Sequence, residues 1–274
     1  MMDKLFDLAD RVIVVTGGLG QIGREFVVEL HNRGAKVAVV NRKLPDKAAI
    51  ADRFPVDSPN FGLFKADIVK KRELRSALDE IKERWGKVPH GLVNNAGVDT
   101  QPSAPPEVSG PFEFFPEEVW REVVDINLTG TFLSCQIFGG AMASEGRGSI
   151  VNVGSIYGLL SPIQDIYAYK FEETGTPFVK PIAYSASKSG LTNLTHYLGT
   201  YWAKKGVRVN LLVPSGVGRA DQDPRFVKNY TARLPIGHMA KADEYNGAMV
   251  FLLADASLYM TGTQLVVDGG WTAW

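Results

Sequence analysis

The sequence predicts an α/β protein, a doubly wound parallel sheet of about seven strands with helices on both faces, and two observations carry that expectation. Apolar strand-like runs at 11–16, 35–40, 61–66, 90–94, 149–154, 206–213 and 263–267 alternate with helix-period segments near 21–33, 46–53, 70–84, 117–145, 183–204 and 243–254. Strict alternation makes each connection a crossover, so neighbouring strands run parallel and both faces are covered. At 274 residues and 45% hydrophobic, the chain can bury one sizeable core, and residues 1–274 read as one domain.

The first strand, Arg11-Val12-Ile13-Val14-Val15-Thr16, is apolar on both faces, as a buried parallel strand must be. Gly17-Gly18-Leu19-Gly20-Gln21-Ile22-Gly23 follows, and a helix pattern continues through Phe26, Val27 and Leu30. Strand, glycine turn and helix start make a phosphate site of Rossmann type. Gly17 allows the tight turn, Gly20 the approach of a pyrophosphate and Gly23 close packing of helix on strand, while Gln21 and Ile22 open the helix that faces the anion. The second strand ends Val39-Val40-Asn41-Arg42-Lys43. An acidic residue there would repel a 2′-phosphate. Asn41 stands in its place and Arg42 and Lys43 suit a phosphate, so NADP is expected over NAD, although Asn41 also suits a free ribose hydroxyl.

Two segments are too irregular for the alternating scheme. Residues 98–116 carry five prolines after the fourth strand, and residues 156–183 mix aromatics with charge after the fifth. Both leave carboxyl ends of strands, where ligands bind in open parallel sheets, so both are expected to wall a substrate site. The competing reading is a pair of surface insertions that cover a sheet edge.

In the run Tyr184-Ser185-Ala186-Ser187-Lys188 a helix places phenol and ammonium on one face. A fixed positive charge lowers a phenol pKa from about 10, giving a proton donor usable near neutrality. Tyr201 and Lys205 share the spacing, but Lys205 precedes Gly206, where a helix stops and a cation suits the last carbonyls.

Thirty lysines and arginines balance thirty aspartates and glutamates, which argues against nucleic acid or a membrane surface as partner. The start, Met1-Met2-Asp3-Lys4-Leu5-Phe6-Asp7, lacks the apolar core of a signal peptide, and no apolar run reaches bilayer length, so a cytoplasmic location is expected. The one cysteine, Cys135, reads as a small buried hydrophobe. His31, His90, His196 and His238 lack ligand spacing, so no metal is expected.

With these parts in order, the chain resembles the short-chain dehydrogenase/reductase family from Leu8 to Gly270. The resemblance rests on the glycine turn, Asp67 after the third strand, Asn94-Asn95-Ala96-Gly97, Asn127 within Asp125-Ile126-Asn127-Leu128, Ser155, Tyr184 with Lys188, Pro214, and Asp268-Gly269-Gly270. It implies hydride transfer between a nicotinamide cofactor and a secondary alcohol or ketone. Tyr184 would be the general acid or base, Ser155 would bond the reacting oxygen, Lys188 would hold the nicotinamide ribose, and Asn127 would anchor a water chain that resupplies the proton. It further implies cofactor contacts from Gly17, Gly20, Gln21, Ile22, Gly23, Asn41, Arg42, Asp67, Ile68, Asn95, Ala96, Gly97, Tyr184, Lys188, Pro214, Gly216 and Val217, with Asp67 at the adenine. Asp67 also reads as a helix N-cap before Val69.

The chain departs from the simple, single-domain branch in three places. The spacing Gly17, Gly20, Gly23 fits the extended branch, with Gln21 at the usual middle glycine. Ser215-Gly216-Val217-Gly218-Arg219 lacks the threonine that binds the carboxamide, and the interval from Ser155 to Tyr184 is long. Within that interval Tyr157, Tyr167 and Phe178 stand beside Gln164, Asp165 and Lys180, which suits a polyhydroxylated ring: a sugar, sugar acid or sugar derivative. Bacterial members linked to sugar metabolism are similar here. A 3-oxoacyl-type carbonyl reductase and a non-catalytic dinucleotide-binding sensor are the alternatives. Segments 117–145 and 183–204 carry apolar residues on more than one face, so a homotetramer is expected, with a homodimer as the alternative. Trp271 and Trp274 suggest that the chain end docks, with a neighbouring subunit as the candidate surface.

Overall fold

The computed structural model describes residues 4–274; Met1–Asp3, part of the amino-terminal segment read above, lie outside the described residues. Seven strands form one sheet: β1 (Val12–Thr16), β2 (Lys36–Asn41), β3 (Phe61–Lys65), β4 (Gly91–Asn94), β5 (Gly148–Val153), β6 (Val207–Pro214) and β7 (Gln264–Val267). All neighbours pair in parallel, in the order β3-β2-β1-β4-β5-β6-β7. The order reverses between β1 and β4. The chain leaving each therefore turns to opposite sides, and a crevice opens above their carboxyl ends.

The helices are α1 (Gln21–Asn32), α2 (Lys71–Trp85), α3 (117–145), α4 (Tyr169–Thr174), α5 (Ile182–Trp202), α6 (Pro224–Thr231) and α7 (Asn246–Leu253). Successive side chains of a strand point to opposite faces, so β1 feeds two cores. Ile13 and Val15 pack with Phe26, Leu30 and Met249 of α1 and α7, while Val12 and Val14 pack with Leu74, Ile81, Phe138 and Trp202 of α2, α3 and α5. Two π turns, Asp125–Thr129 and Cys135–Gly139, interrupt α3. Cys135 is buried, and burial pushes its thiol up to about 12, leaving it inert.

One expectation needs correction, and one helix lies where none was expected. The segment 46–53 is not an α-helix but one 3-10 turn, Lys47–Ile50. Pro45 before it and Pro55 after it leave room for little more. Helix α6 falls in a stretch with no long apolar period; it is nucleated by its cap, where Asp223 Oδ1 accepts from Arg225 N at 2.8 Å and Pro224 sits in the first turn. The terminal tryptophans separate: Trp271 is buried within its own chain and Trp274 is exposed. The second apolar faces of α3 and α5 are present, with Phe132, Tyr197 and Tyr201 exposed and Ile137, Met142 and Leu198 buried. Lys205 lies over the exposed Tyr201 ring at 5.4 Å, and Gly206 ends the segment at φ +70, so that pair is a surface feature. No helix among the described residues is long and apolar enough to cross a membrane.

At the amino-terminal edge of the sheet, burial among Arg11, Arg147 and Arg208 lowers His90 from 6.5 to about 4. Its Nε2 faces Arg11 Nη1 at 3.4 Å and so accepts, which holds the ring neutral. The unfolded chain protonates this imidazole first as pH falls. Its stabilisation is therefore complete above pH 6.5 and disappears as pH falls through about 4. It amounts to about 3 kcal/mol. Thermal unfolding of the native chain should lose stability over that window, and His90→Gln should flatten the profile there.

Candidate functional site

A cavity of about 580 Å³ occupies the crevice above the carboxyl ends of the strands. Its floor begins at the glycine turn. Gly17 has φ +64, and a Cβ there would lie 2.7 Å from the Ala96 Cα, so this position tolerates no side chain. The turn is tied to β4. Thr16 Oγ1 accepts from the backbone nitrogens of Asn95 and Ala96, both at 3.2 Å, and Asn95 Nδ2 donates to Gly17 O at 3.0 Å. Gly23 packs behind the same carbonyl, where a Cβ would come within 2.6 Å of Asn95 Nδ2. Gly20, Gln21 and Ile22 line the cavity at the start of α1, a cradle of backbone N–H groups with the charge and shape for a pyrophosphate.

Asn41 and Arg42 line one end of the cavity, and Asn41 Oδ1 accepts from Leu19 N at 3.4 Å. Its amide donors remain available to a ribose or its phosphate. Asp67 and Ile68 line the same end. Asp67 Oδ1 accepts from Val69 N at 3.2 Å in a turn ahead of α2, whose N-cap is Lys70, so Asp67 is not the helix cap that the sequence also suggested.

Ser155, Tyr184 and Lys188 meet at the other end. Ser155 follows β5; its Oγ accepts from Tyr157 N at 3.1 Å, which leaves the hydroxyl proton to be donated. Lys188 is buried one turn after Tyr184 on α5 and donates to Val153 O at 2.7 Å, with its ammonium 5.8 Å from the Tyr184 ring centroid. The helix spacing thus brings phenol and ammonium together, but the lowered phenol pKa expected from the sequence is not found. Desolvation, then the Asp99 charge, raise Tyr184 above its ordinary value, with Ser155 acting in the opposite sense. Burial likewise draws Lys188 down to about 8. The phenol is half-buried by surface area yet deep enough at its oxygen to be held protonated.

Asn127 lies behind this wall, in the first π turn of α3. Its Oδ1 accepts from Val98 N at 2.8 Å, and its Nδ2 donates to Val98 O at 2.9 Å and Ser187 Oγ at 3.0 Å. Both amide protons are committed, so the side chain clamps the start of the first insertion. Of the catalytic and cofactor residues that the family resemblance implies, Asn127 and Gly23 do not line the cavity and the others do, Asn95, Ala96, Gly97, Pro214, Gly216 and Val217 included; Lys43, Gln164, Asp165 and Phe178, offered on charge and polarity, do not line it either.

The two insertions meet each other over the cavity instead of covering a sheet edge. Val179 N donates to Ser109 O at 2.8 Å, and Lys180 Nζ reaches both Asp99 oxygens at 2.6 Å. Tyr157, Tyr167, Phe178, Tyr230 and Trp271 back them as a third core, with Trp271 4.5 Å from Tyr230. Asp268 sets that indole: Oδ1 accepts from Gly270 N at 2.9 Å and Oδ2 from Thr272 N at 2.8 Å. Sequence reasoning missed Tyr230, whose hydroxyl accepts from Gly216 N at 2.7 Å, and the ion pair of Asp99 with Lys180. The pairing of Asp99 with Lys180 spans 81 positions, and no local spacing encodes it.

Residues 20–272 match the family model described as enoyl-(acyl carrier protein) reductase. An NAD-dependent glycerol dehydrogenase of Listeria innocua is 30% identical over 274 residues, 98% of this chain and 97% of that one. A short-chain dehydrogenase of Leptospira borgpetersenii with bound NAD+ is 32% identical, with TM-score 0.84 over 99% of this chain and 96% of that one. A gluconate 5-dehydrogenase of Burkholderia cenocepacia in complex with NADP and tartrate is 27% identical, with TM-score 0.83 over 99% and 98%.

Because Gly23 has no room for a methyl group against Asn95, Gly23→Ala should pull the glycine turn away from β4. Dinucleotide affinity, read by the fluorescence of reduced nicotinamide, should fall by at least about tenfold, the equivalent of ~1.4 kcal/mol. Unchanged affinity would show that the turn is not the cradle.

Proposed function

We propose that this chain, which belongs to the short-chain dehydrogenase/reductase family and is an NAD(P)-dependent oxidoreductase acting on CH–OH groups, interconverts a secondary alcohol and a ketone on a sugar, sugar acid or sugar derivative. One observation carries the reading: a single cavity has the glycine cradle at one end and Ser155, Tyr184 and Lys188 at the other. When bound, the nicotinamide supplies or accepts the hydride.

In ketone reduction the protonated Tyr184 phenol gives its proton to the oxygen that gains negative charge, and Ser155 donates a hydrogen bond to the same oxygen. The depth that keeps Tyr184 protonated suits this direction. In alcohol oxidation the phenol must first ionise; Lys188 and Ser155 favour the phenolate against the cost of burial. Lys188, pinned to Val153 O, has two further protons for ribose hydroxyls. The Asn127 side chain is committed to Val98 and Ser187, so a water chain would be anchored by its backbone carbonyl, which also accepts from Thr131 Oγ1 at 2.9 Å.

The wall supports a polar substrate. Asp99, Gln101, Tyr157 and Lys180 stand where an acyl chain would need an apolar trough. Asn41 and Arg42 support NADP over NAD. Exposed Phe132, Tyr197 and Tyr201 support a homotetramer or homodimer built on α3 and α5. One sheet and one cavity support a single domain that carries both cofactor and substrate sites, and we place it in the cytoplasm.

Tyr184→Phe should lower kcat by roughly 10²- to 10⁴-fold while binding of reduced nicotinamide survives. Binding without turnover in the native chain, across keto-sugars, keto-acids and 3-oxoacyl thioesters, would favour the sensor reading. Asn41→Asp places a carboxylate against a 2′-phosphate and should shift the ratio of kcat/KM toward NADH by about tenfold. Equal use of both cofactors by the native chain would overturn the NADP preference.

A further inference from the structure

The ion pair that joins the two insertions has a polarity that bears on the substrate. Lys180 is 5% exposed, and its Nζ donates to Asp99 Oδ1 and Oδ2 at 2.6 Å and to Thr100 O at 2.8 Å. Three acceptors take its three protons. Gln164 fixes the lysine backbone from both sides, accepting from Lys180 N at 2.8 Å and donating to Lys180 O at 3.2 Å. The ammonium therefore has no donor left for a ligand. Asp99 is different: its side chain is 29% exposed, it lines the cavity, and its carboxylate keeps lone pairs that the lysine does not fill. The pair sits beside the reacting end of the site, with Lys180 Nζ 5.5 Å from the Tyr184 ring centroid.

We propose that Asp99, held in place by Lys180, is a specificity residue that accepts a hydrogen bond from a substrate hydroxyl near the reacting carbon, so that the enzyme takes uncharged polyols or sugars in preference to sugar acids. This rests on the sugar-type reading above and narrows it. A hydroxyl donates to Asp99 without disturbing the ion pair. A substrate carboxylate meets Asp99 as a like charge, and it can reach the buried Lys180 only by displacing Asp99 from it, which exchanges one carboxylate for another and adds the repulsion between them. Of the other cations at this end, Arg219 is paired with Asp221 at 3.0 Å and Lys188 is pinned to Val153 O at 2.7 Å. Tyr157 also lines the cavity, while its hydroxyl is buried near that of Tyr167. The Asp99 charge also acts on the catalytic phenol, since it raises Tyr184.

The test is steady-state oxidation of three probe sets by the native chain: neutral polyols (erythritol, threitol, xylitol), the corresponding aldonates, and cyclohexanol, which has no second hydroxyl. The polyols should exceed the aldonates by at least roughly tenfold in kcat/KM, and Asp99→Asn should raise the polyol KM by roughly tenfold with a smaller change in kcat and in the use of cyclohexanol. Asp99→Asn with Lys180→Met removes the buried charge as well and should give the same KM rise; melting temperature and nicotinamide fluorescence confirm that either variant is folded. Aldonates used as well as polyols, or a polyol KM unmoved in both variants, would overturn the proposal. Turnover of cyclohexanol with no advantage for polyols would overturn it while leaving the oxidoreductase intact, and no turnover of any alcohol would remove the reading on which it rests.

Discussion

The site depends on the hydrogen bonds that join the carboxyl ends of β1 and β4. Those two strands are neighbours in the sheet, but their chains turn to opposite faces as they leave it, and the crevice between them would otherwise be defined by nothing but loops. The Thr16 hydroxyl and the Asn95 amide close it. The Asn95 amide fixes the Gly17 carbonyl against which Gly23 packs, and two residues on, Gly97 lies where a Cβ would be 3.1 Å from Asn127 Oδ1 and 3.6 Å from Lys188 Nζ. One continuous set of contacts thus runs from the phosphate cradle to the ammonium that flanks the phenol. A shift at either end is felt at the other because close-packed atoms leave no slack between them.

The same economy holds α5, the helix that carries Tyr184 and Lys188. Asn94 Nδ2 donates to Asn152 Oδ1 at 2.9 Å, and Asn152 Nδ2 donates to Thr195 Oγ1 at 2.9 Å, a buried polar chain from β4 through β5 to α5. Buried amides are costly unless bonded, so such a chain tolerates one arrangement and not its neighbours. Together with the bond from Lys188 to Val153 O, it sets the rotation and depth of the helix at the reacting end.

What could be read in the sequence, and what could not, divides along physical lines. All seven strands fall where apolar runs put them, most plainly β1, whose five residues are all buried and which can be written in few other ways, while the edge strand β7 is only half-buried. The glycine turn and the Tyr184 and Lys188 pair were legible for the same reason: each is a local geometry set by spacing. Segment 46–53 misled because a helical period says nothing about the space between two prolines. Tyr184 misled in a different way. Spacing placed the ammonium beside it, but the pKa follows the depth of the phenol, which is decided by loops from elsewhere in the chain. Asn127 was recognised by its motif, yet its amide turned out to serve Val98, whose position no pattern around Asn127 announces. Asp99 with Lys180 was the least legible, since each residue alone is an ordinary loop charge.

That ion pair has an evolutionary consequence. With Lys180 bonded to Asp99 and Val179 to Ser109, the two insertions behave as one inherited module. Exchanging the first loop alone with a relative would strand the buried lysine, which is penalised heavily, and exchanging the second would leave Asp99 without the counterion that fixes it. New substrate ranges on this scaffold therefore have to arise by changing both loops in step, or by first replacing the pair with an uncharged contact, after which the loops can drift apart.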